Sequence, residues 1–222
     1  MADSAERTHY LSLADLREDY RLAEFSERNC ETNPIAQFNR WFEEAKAADL
    51  KEPNAMSLAT ATLSGKPSNR IVLLKEVSDD GFVFYTSYSS RKGRELETNP
   101  FCAITFLWAE LERQVRIEGR AERVSRERSE RYFRRRPKGS RLGALVSNQS
   151  TVLASRQPLI DGLLALQAKY ADTDDVPVPD YWGGYCVLPN IIEFWQGRTN
   201  RLHDRLLYTR RSGDWRIERL SP

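Results

Sequence analysis

Cysteine and histidine are scarce in this 222-residue sequence: Cys30, Cys102 and Cys186, and His9 and His203, are all there are. The cysteines are odd in number and far apart, with no C-x-x-C pair, which argues against a disulfide framework and a cysteine zinc site. They fit a reducing compartment, so the expected location is the cytoplasm. Nothing in the spacing of the two histidines suggests a metal centre, and no metal is expected. No apolar run approaches the roughly 20 residues of a membrane helix. The first ten residues lack the apolar stretch of a secretory signal, so neither membrane insertion nor export is expected. There is no G-x-G-x-x-G, no Walker loop and no G-x-S-x-G. Their absence weakens dinucleotide-binding, nucleotide-triphosphate and α/β-hydrolase readings, and any cofactor must be held some other way.

What is present is an ordinary globular composition, 40% hydrophobic and 30% charged, which excludes wholesale disorder and fibrous repeats. Of the 34 basic residues, 27 are arginine. Between Arg113 and Arg141 stand 11 Arg and one Lys against four Glu, a local +8 in a chain whose formal net charge is +2. Arginine offers a planar fork of donors suited to phosphate and carboxylate. Such an excess fits a phosphorylated small ligand or a nucleic acid, and does not choose between them.

The periodicity predicts a helix over 13–27 and a second from Pro34 to about Leu50. The second is capped by Thr32-Asn33 and has one apolar face of Ile35, Phe38, Trp41 and Phe42. Strands are predicted over 55–63, 70–77, 82–87, 101–108 and 112–124, with a short helix over 89–98 between them. Helices return over 125–146, with Pro137 ending the first, and over 156–170. A last β region covers 185–188, 191–195, 206–210 and 215–220. So many antiparallel strands favour a barrel or sandwich. The final strands are too few to bury a core alone and must complete the earlier set, so 16–222 reads as one domain after a flexible tail over 1–15.

Four segments could carry chemistry. The densest is 194–205, where Trp195, Arg201, His203, Asp204 and Arg205 crowd together. On a strand, Arg201, His203 and Arg205 would share one face, and three potential cations on one face call for an electron-rich ligand. A second is Tyr132, Arg136 and Ser140: the first two are i and i+4 on a helix, and together the three could cradle a phosphate, or be a solvated basic helix end. The third, Ser89-Ser90-Arg91-Lys92, opens a short helix whose free N–H groups favour an anion. The fourth is the strand from Arg70 to Lys75, bracketed by two cations.

The ordered set of blocks makes the chain resemble the pyridoxine (pyridoxamine) 5′-phosphate oxidases. The blocks are Glu-Pro-Asn-Ala-Met (52–56), Arg-Ile-Val-Leu-Leu-Lys (70–75), Phe-Tyr-Thr-Ser (84–87), Ser-Arg-Lys-Gly (90–93), Glu-Arg-Gln-Val-Arg (112–116), Tyr-Phe-x-x-Arg-Pro (132–137), Ser-x-Gln-Ser (147–150), Trp-Gly-Gly-Tyr (182–185) and Phe-Trp-Gln-Gly-x-x-x-Arg-Leu-His-Asp-Arg (194–205). The resemblance runs from about Leu16 to Pro222. It implies a mainly β fold with peripheral helices, a split β-barrel that binds FMN in the interface of a homodimer. It implies oxidation of pyridoxamine 5′-phosphate and pyridoxine 5′-phosphate to pyridoxal 5′-phosphate, with O2 as electron acceptor and H2O2 as product. It assigns to FMN the residues Arg70, Ile71, Val72, Leu73, Leu74 and Lys75, then Tyr85, Thr86, Arg91, Lys92, Gln114, Gln149, Ser150, Trp195 and Arg205. To the substrate it assigns Arg17, Tyr20, Lys75, Tyr132, Arg136, Ser140 and Leu202, with Arg201 and His203 over the reacting carbon. Arg205 is further expected to favour the reduced flavin by its charge.

Two other classes stay open on the sequence: a flavin or pyridoxal phosphate carrier without turnover, and an RNA-binding module built on the 113–141 arginines. The pairing of Arg201 with His203 speaks against the first. The absence of an RNP-type aromatic motif speaks against the second, and no nucleic-acid partner is expected.

Overall fold

The computed structural model describes residues 19–222. The tail over 1–15, the start of the 13–27 helix and Arg17 lie outside these residues.

Where the rest of that first helix was expected, 19–27 is not helical. Its backbone donors are taken by distant carboxylates instead of by carbonyls four residues back. Arg21 and Leu22 donate N–H groups to Glu112, and Phe25 donates to Asp204 Oδ2 at 3.1 Å. Burial of Phe25 among the core aromatics then ties the segment to the barrel without regular secondary structure. The next helix, α1 (Pro34–Ala47), matches its sequence signals. Asn33 Oδ1 accepts from the Ile35 and Ala36 N–H groups and Pro34 fills the first turn. Ile35, Phe38 and Trp41 face the core.

The strands are β1 (Ala55–Ala61), β2 (Pro67–Leu73), β3 (Glu76–Ser78), β4 (Gly81–Ser87), β5 (Phe101–Trp108), β6 (Arg113–Arg123), β7 (Trp182–Gln196), β8 (Asp204–Arg211) and β9 (Asp214–Arg219). All nine join one curled antiparallel sheet in the order β2-β1-β5-β6-β7-β4-β3, with β8 and β9 carried on β7. The two strands expected over 185–188 and 191–195 are one, because β6 pairs with β7 through Pro189, absorbing the irregularity as a register shift at Glu118/Gly119. The first half of β7 pairs with β4 and the second half with β8, so the sheet divides along this strand. The C-terminal strands thus complete the earlier set, as the sequence required.

Cross-strand partners share a face. The row Phe106, Val115, Phe194 and Leu206 is fully buried beneath α1. The next row, Leu107, Gln114, Trp195 and Arg205, lies on the opposite face. That outer face also carries Phe101 and, through Ser57 and Thr105, Ile71 on β2; Ile71, Phe101 and Leu107 are all about two-thirds exposed.

Four helices flank the sheet: α2 (Arg91–Thr98), α3 (Arg126–Arg135), α4 (Lys138–Val146) and α5 (Gln157–Lys169). Pro137 stops α3 and α4 restarts at once, so Ser140 sits in the first turn of a new helix. Phe133, Leu142, Val176 and Trp182 form a second apolar cluster that seats α3 and α4.

Candidate active site

A cavity of about 380 Å³ opens between β2, the end of β4, α2 and α4. Ten of the residues singled out in the sequence line it: Ile71, Val72, Leu73, Lys75, Tyr85, Thr86, Lys92, Tyr132, Arg136 and Gln149. They come from five separate segments, so only the fold brings them together.

One wall is β2, which pairs with β1 along one edge and with no other strand along the second among the described residues. An unpaired edge presents free backbone donors and acceptors. The facing wall is aromatic. The Tyr85 and Tyr132 rings stack at 4.0 Å, and Tyr85 stacks on Trp182 at 5.5 Å. Gly184 makes room for this stack: a Cβ there would sit 2.8 Å from the Tyr85 ring.

Among the described residues, the two cations of the cavity that are buried or half-buried, Lys92 and Arg136, have no anionic partner; Lys75, the third, is exposed. Lys92 is 8% exposed, and Nζ donates to Thr86 Oγ1 and Gln149 Oε1 at 3.2 Å each, with no carboxylate in reach. Burial, with Arg70 nearby, lowers its pKa to about 8. Arg136 is half-buried over the Trp182 ring at 5.0 Å, and its Nη1 is buried with no hydrogen-bond partner. Burial lowers its pKa below the ordinary arginine value. Burying a charge unpaired is costly, so both positions fit an anionic ligand.

Around Lys92 the local structure is built to hold cations in place. Ser90 caps α2, accepting from the Gly93 N–H at 3.2 Å. Arg91 donates from its backbone to Ser150 Oγ at 3.2 Å and from Nε to Glu95 Oε1 at 2.9 Å. Burial pushes the Glu95 carboxyl up, but hydrogen bonds from Ser68, Thr60 and Arg91 outweigh it and bring the pKa down to about 2. Arg70 turns toward this same carboxylate and donates to Leu58 O and Thr60, outside the cavity. The Leu74 side chain belongs to the core. Ser140 is exposed on α4 and does not line the cavity.

The remaining residues form a second group. Trp195 stands 4.6 Å from the His203 ring and 5.7 Å from Tyr20, and Tyr20 is 5.8 Å from His203. Gly197 admits Tyr20, since a Cβ would approach its ring to 2.7 Å. Gln114 and Arg205 flank Trp195 in the outer-face row. Leu202 and His203 line a separate surface pocket with Arg219 and Pro222. Arg201, His203 and Arg205 do not share a strand face. A turn spans Thr199–Arg201, Asn200 and Arg201 are left-handed at φ 56° and 61°, and β8 begins only at Asp204. Two successive non-glycine residues there cost about 1–3 kcal/mol each; among the described residues, Arg201 has no carboxylate partner.

His203 Nδ1 accepts from the Arg198 N–H at 3.1 Å. Burial, then the Arg201 and Arg205 charges, lower the imidazole pKa. The ring is therefore neutral at pH 7, with Nε2 carrying the hydrogen. Arg205 is held by an ion pair, its Nε donating to buried Glu193 at 2.8 Å.

Sequence reasoning passed over Ser87, Gly143, Ala144, Ser147 and Trp182 as lining residues. The small residues at 143, 144 and 147 repeat at helical spacing beyond Ser140, and that stripe was the available signal. The 113–141 arginines do not form one patch. Arg113 pairs with Glu44, Arg123 with Glu97, Arg128 with Glu76 and Arg141 with Asp174.

Residues 42–161 match the family model described as pyridoxamine 5′-phosphate oxidase, and 182–222 match the pyridoxine 5′-phosphate oxidase C-terminal dimerisation region. The pyridoxine/pyridoxamine 5′-phosphate oxidase of Trichormus variabilis is 57% identical over 212 residues, 95% of this chain and 99% of the relative. That of Actinobacillus pleuropneumoniae is 55% identical, covering 96% and 100%. A crystal structure of PhzG from Burkholderia lata 383, in complex with tetrahydrophenazine-1-carboxylic acid, superposes with TM-score 0.85 at 32% identity, over 90% of this chain and 98% of that one. A pyridoxamine 5′-phosphate oxidase-related, FMN-binding protein from Nostoc punctiforme shares the fold at TM-score 0.67 and 16% identity, over 83% and 97%. The curled sheet divided along β7 is thus a split β-barrel. With buried Lys92 and half-buried Arg136 unpaired in one aromatic-walled cavity and these matches over nearly its whole length, the chain belongs to the pyridoxamine 5′-phosphate oxidase family.

Proposed function

We propose that this protein is an FMN-dependent homodimeric oxidase that converts pyridoxamine 5′-phosphate and pyridoxine 5′-phosphate to pyridoxal 5′-phosphate, reducing O2 to H2O2. The observation that carries the reading is the pair of cations in one cavity, Lys92 and Arg136, each lacking an anion. Two phosphorylated ligands, cofactor and substrate, answer two cations. Bound FMN supplies the two-electron chemistry that no side chain here can perform.

In this reading Lys92 and Arg91, at the start of α2, hold the FMN phosphate, with Thr86, Gln149 and Ser150 around it. Glu95 keeps Arg91 in place. The free edge of β2 from Ile71 to Leu73 offers backbone groups to the flavin ring, while Arg70 and Leu74 support the edge from behind. Arg136, Lys75, Tyr132 and Ser140 take the substrate phosphate. Gln114, Trp195 and Arg205 lie on the outer face with exposed Ile71, Phe101 and Leu107. Apposing two such faces would cover those apolar side chains and carry one subunit's row to the other's cavity.

Arg201 and His203 act on the reacting end of the substrate. With Nδ1 committed to Arg198, His203 offers an Nε2–H donor, so it orients the substrate rather than removing a proton. Tyr20 completes this end with Leu202, and Arg17 is assigned to the same substrate. We take 16–222 as one domain, because every described strand joins one sheet. No described helix is long and apolar enough to cross a membrane, and three free cysteines favour the cytoplasm.

The test is the spectrum of the purified protein. A bound flavin bleached anaerobically by pyridoxamine 5′-phosphate is expected. Flavin that stays oxidised would make the protein a carrier, and flavin-free protein retaining RNA would make it a nucleic-acid module.

A further inference from the structure

Beside the main cavity lies a second one of about 440 Å³. Lys75, Arg128, Arg131 and Arg135 line it, against one carboxylate, Glu76. The two cavities share Lys75, Tyr85 and Tyr132, so the stacked tyrosine pair forms the wall between them.

The charges on α3 are sorted by face. Arg126 and Arg134 are both paired with Glu130, at 2.9 and 3.7 Å. Arg128, Arg131 and Arg135 follow i, i+3, i+7 and so lie on one side of the helix. Of these, Arg128 alone has an acidic partner among the described residues, Glu76 at 2.8 Å. Arg131, Arg135 and Lys75 pair with no carboxylate there, and both arginines are exposed. The helix dipole explains cations in the last turn of α3. It does not explain Arg128 and Arg131 in the body of the helix, nor the convergence of Lys75 from the end of β2. Four cations around one concave space repel one another and concentrate anions.

We infer that this basic cavity is an outer docking site for aromatic phosphate monoesters. It captures the phosphorylated pyridine substrate before its phosphate passes the Tyr85–Tyr132 wall to Arg136. The inference rests on the functional reading above. The ligand chemistry, a phosphate monoester dianion tethered through an alkyl carbon to a flat ring system, is common to substrate and FMN, and the site is assigned to the substrate because Lys75 and Tyr132 join it to Arg136.

The experiment uses FMN-loaded dimer and anaerobic stopped-flow bleaching by pyridoxine 5′-phosphate across a salt series. Arg131→Glu/Arg135→Glu should lower the second-order rate constant about tenfold at low salt and flatten its salt dependence. Arg131→Gln/Arg135→Gln should lie between this variant and the wild type. Rates at saturating substrate, flavin content and the rate of FMN rebinding should stay at wild-type values. An unchanged second-order constant and salt slope would overturn the docking site. So would a slower saturated rate, which would place these arginines at the chemical step, or slower FMN rebinding alone, which would assign the cavity to the cofactor. If the wild type is not bleached at all, the functional reading fails. Phosphorus NMR line broadening of inorganic phosphate by FMN-loaded Arg136→Ala protein, expected while Arg131 and Arg135 are present and lost when both are also changed to Glu, then still decides the site.

Discussion

Replacing Arg136 with alanine should weaken the phosphorylated substrate and leave FMN in place. Arg136 holds a buried, unpartnered Nη1 and rests over Trp182 at 5.0 Å and Phe133 at 5.6 Å. In the ligand-free protein its loss removes a cation–π contact worth about 0.5–1 kcal/mol. It also removes an uncompensated buried charge, which offsets that loss. Folding stability should therefore move by less than about 1 kcal/mol. With substrate bound, the variant lacks a charge-assisted hydrogen bond to the phosphate, worth about 1.5–3 kcal/mol, or roughly 10–150-fold in affinity. The assay is anaerobic titration of FMN-loaded protein with pyridoxine 5′-phosphate, followed by flavin absorbance, beside a measurement of bound flavin. The dissociation constant should rise within that range while flavin content stays at the wild-type level. If Arg136→Ala empties the flavin site and leaves the substrate constant unchanged, the two phosphate positions are reversed and the reasoning from unpartnered cations fails.

Four further outcomes are expected. Arg91→Ala should lower FMN occupancy and leave the substrate constant of the remaining holoenzyme near wild type, as read by flavin absorbance per protein. Lys92 has a folded pKa of about 8 against an ordinary 10.5; across that window the unfolded chain holds more protons, so flavin-free protein should gain stability as pH rises from 8 to 10.5, and Lys92→Met should abolish the gain in denaturation midpoints. FMN binding near pH 9 should accordingly take up a proton, visible by calorimetry in buffers of different ionisation heat. Sedimentation of holoprotein at micromolar concentration should show a dimer, with flavin loss tracking dissociation. Arg201→Ala and His203→Ala should slow single-turnover bleaching at saturating substrate by on the order of 100-fold through a misplaced reacting carbon; wild-type bleaching with only a weaker substrate constant would make both residues binding groups.

Much was legible in the residues alone, because it is local. Asn33-Pro34 marks the start of α1, and the spacing of Ile35, Phe38 and Trp41 its buried face. Pro137 separates α3 from α4, and Ser90 caps the helix that begins at Arg91. Those signals act within a few residues and need no partner. The blocks from Arg70 to Lys75 and from Ser90 to Gly93 also named five of the lining residues, Ile71, Val72, Leu73, Lys75 and Lys92. Tertiary structure decided what depends on distant groups. The 19–27 segment carries a helical pattern, yet Glu112 and Asp204 take N–H groups of Arg21, Leu22 and Phe25, and it forms no helix. Alternation predicted Arg201, His203 and Arg205 on one face, but a left-handed turn at Asn200–Arg201 ends that register before β8 begins. The ion pair of Arg205 with Glu193, twelve residues earlier, forms only when β7 and β8 set the two diagonally across from each other. Which arginines of the 113–141 run are neutralised, and which face a cavity, follows from ion pairs that only the packed chain forms.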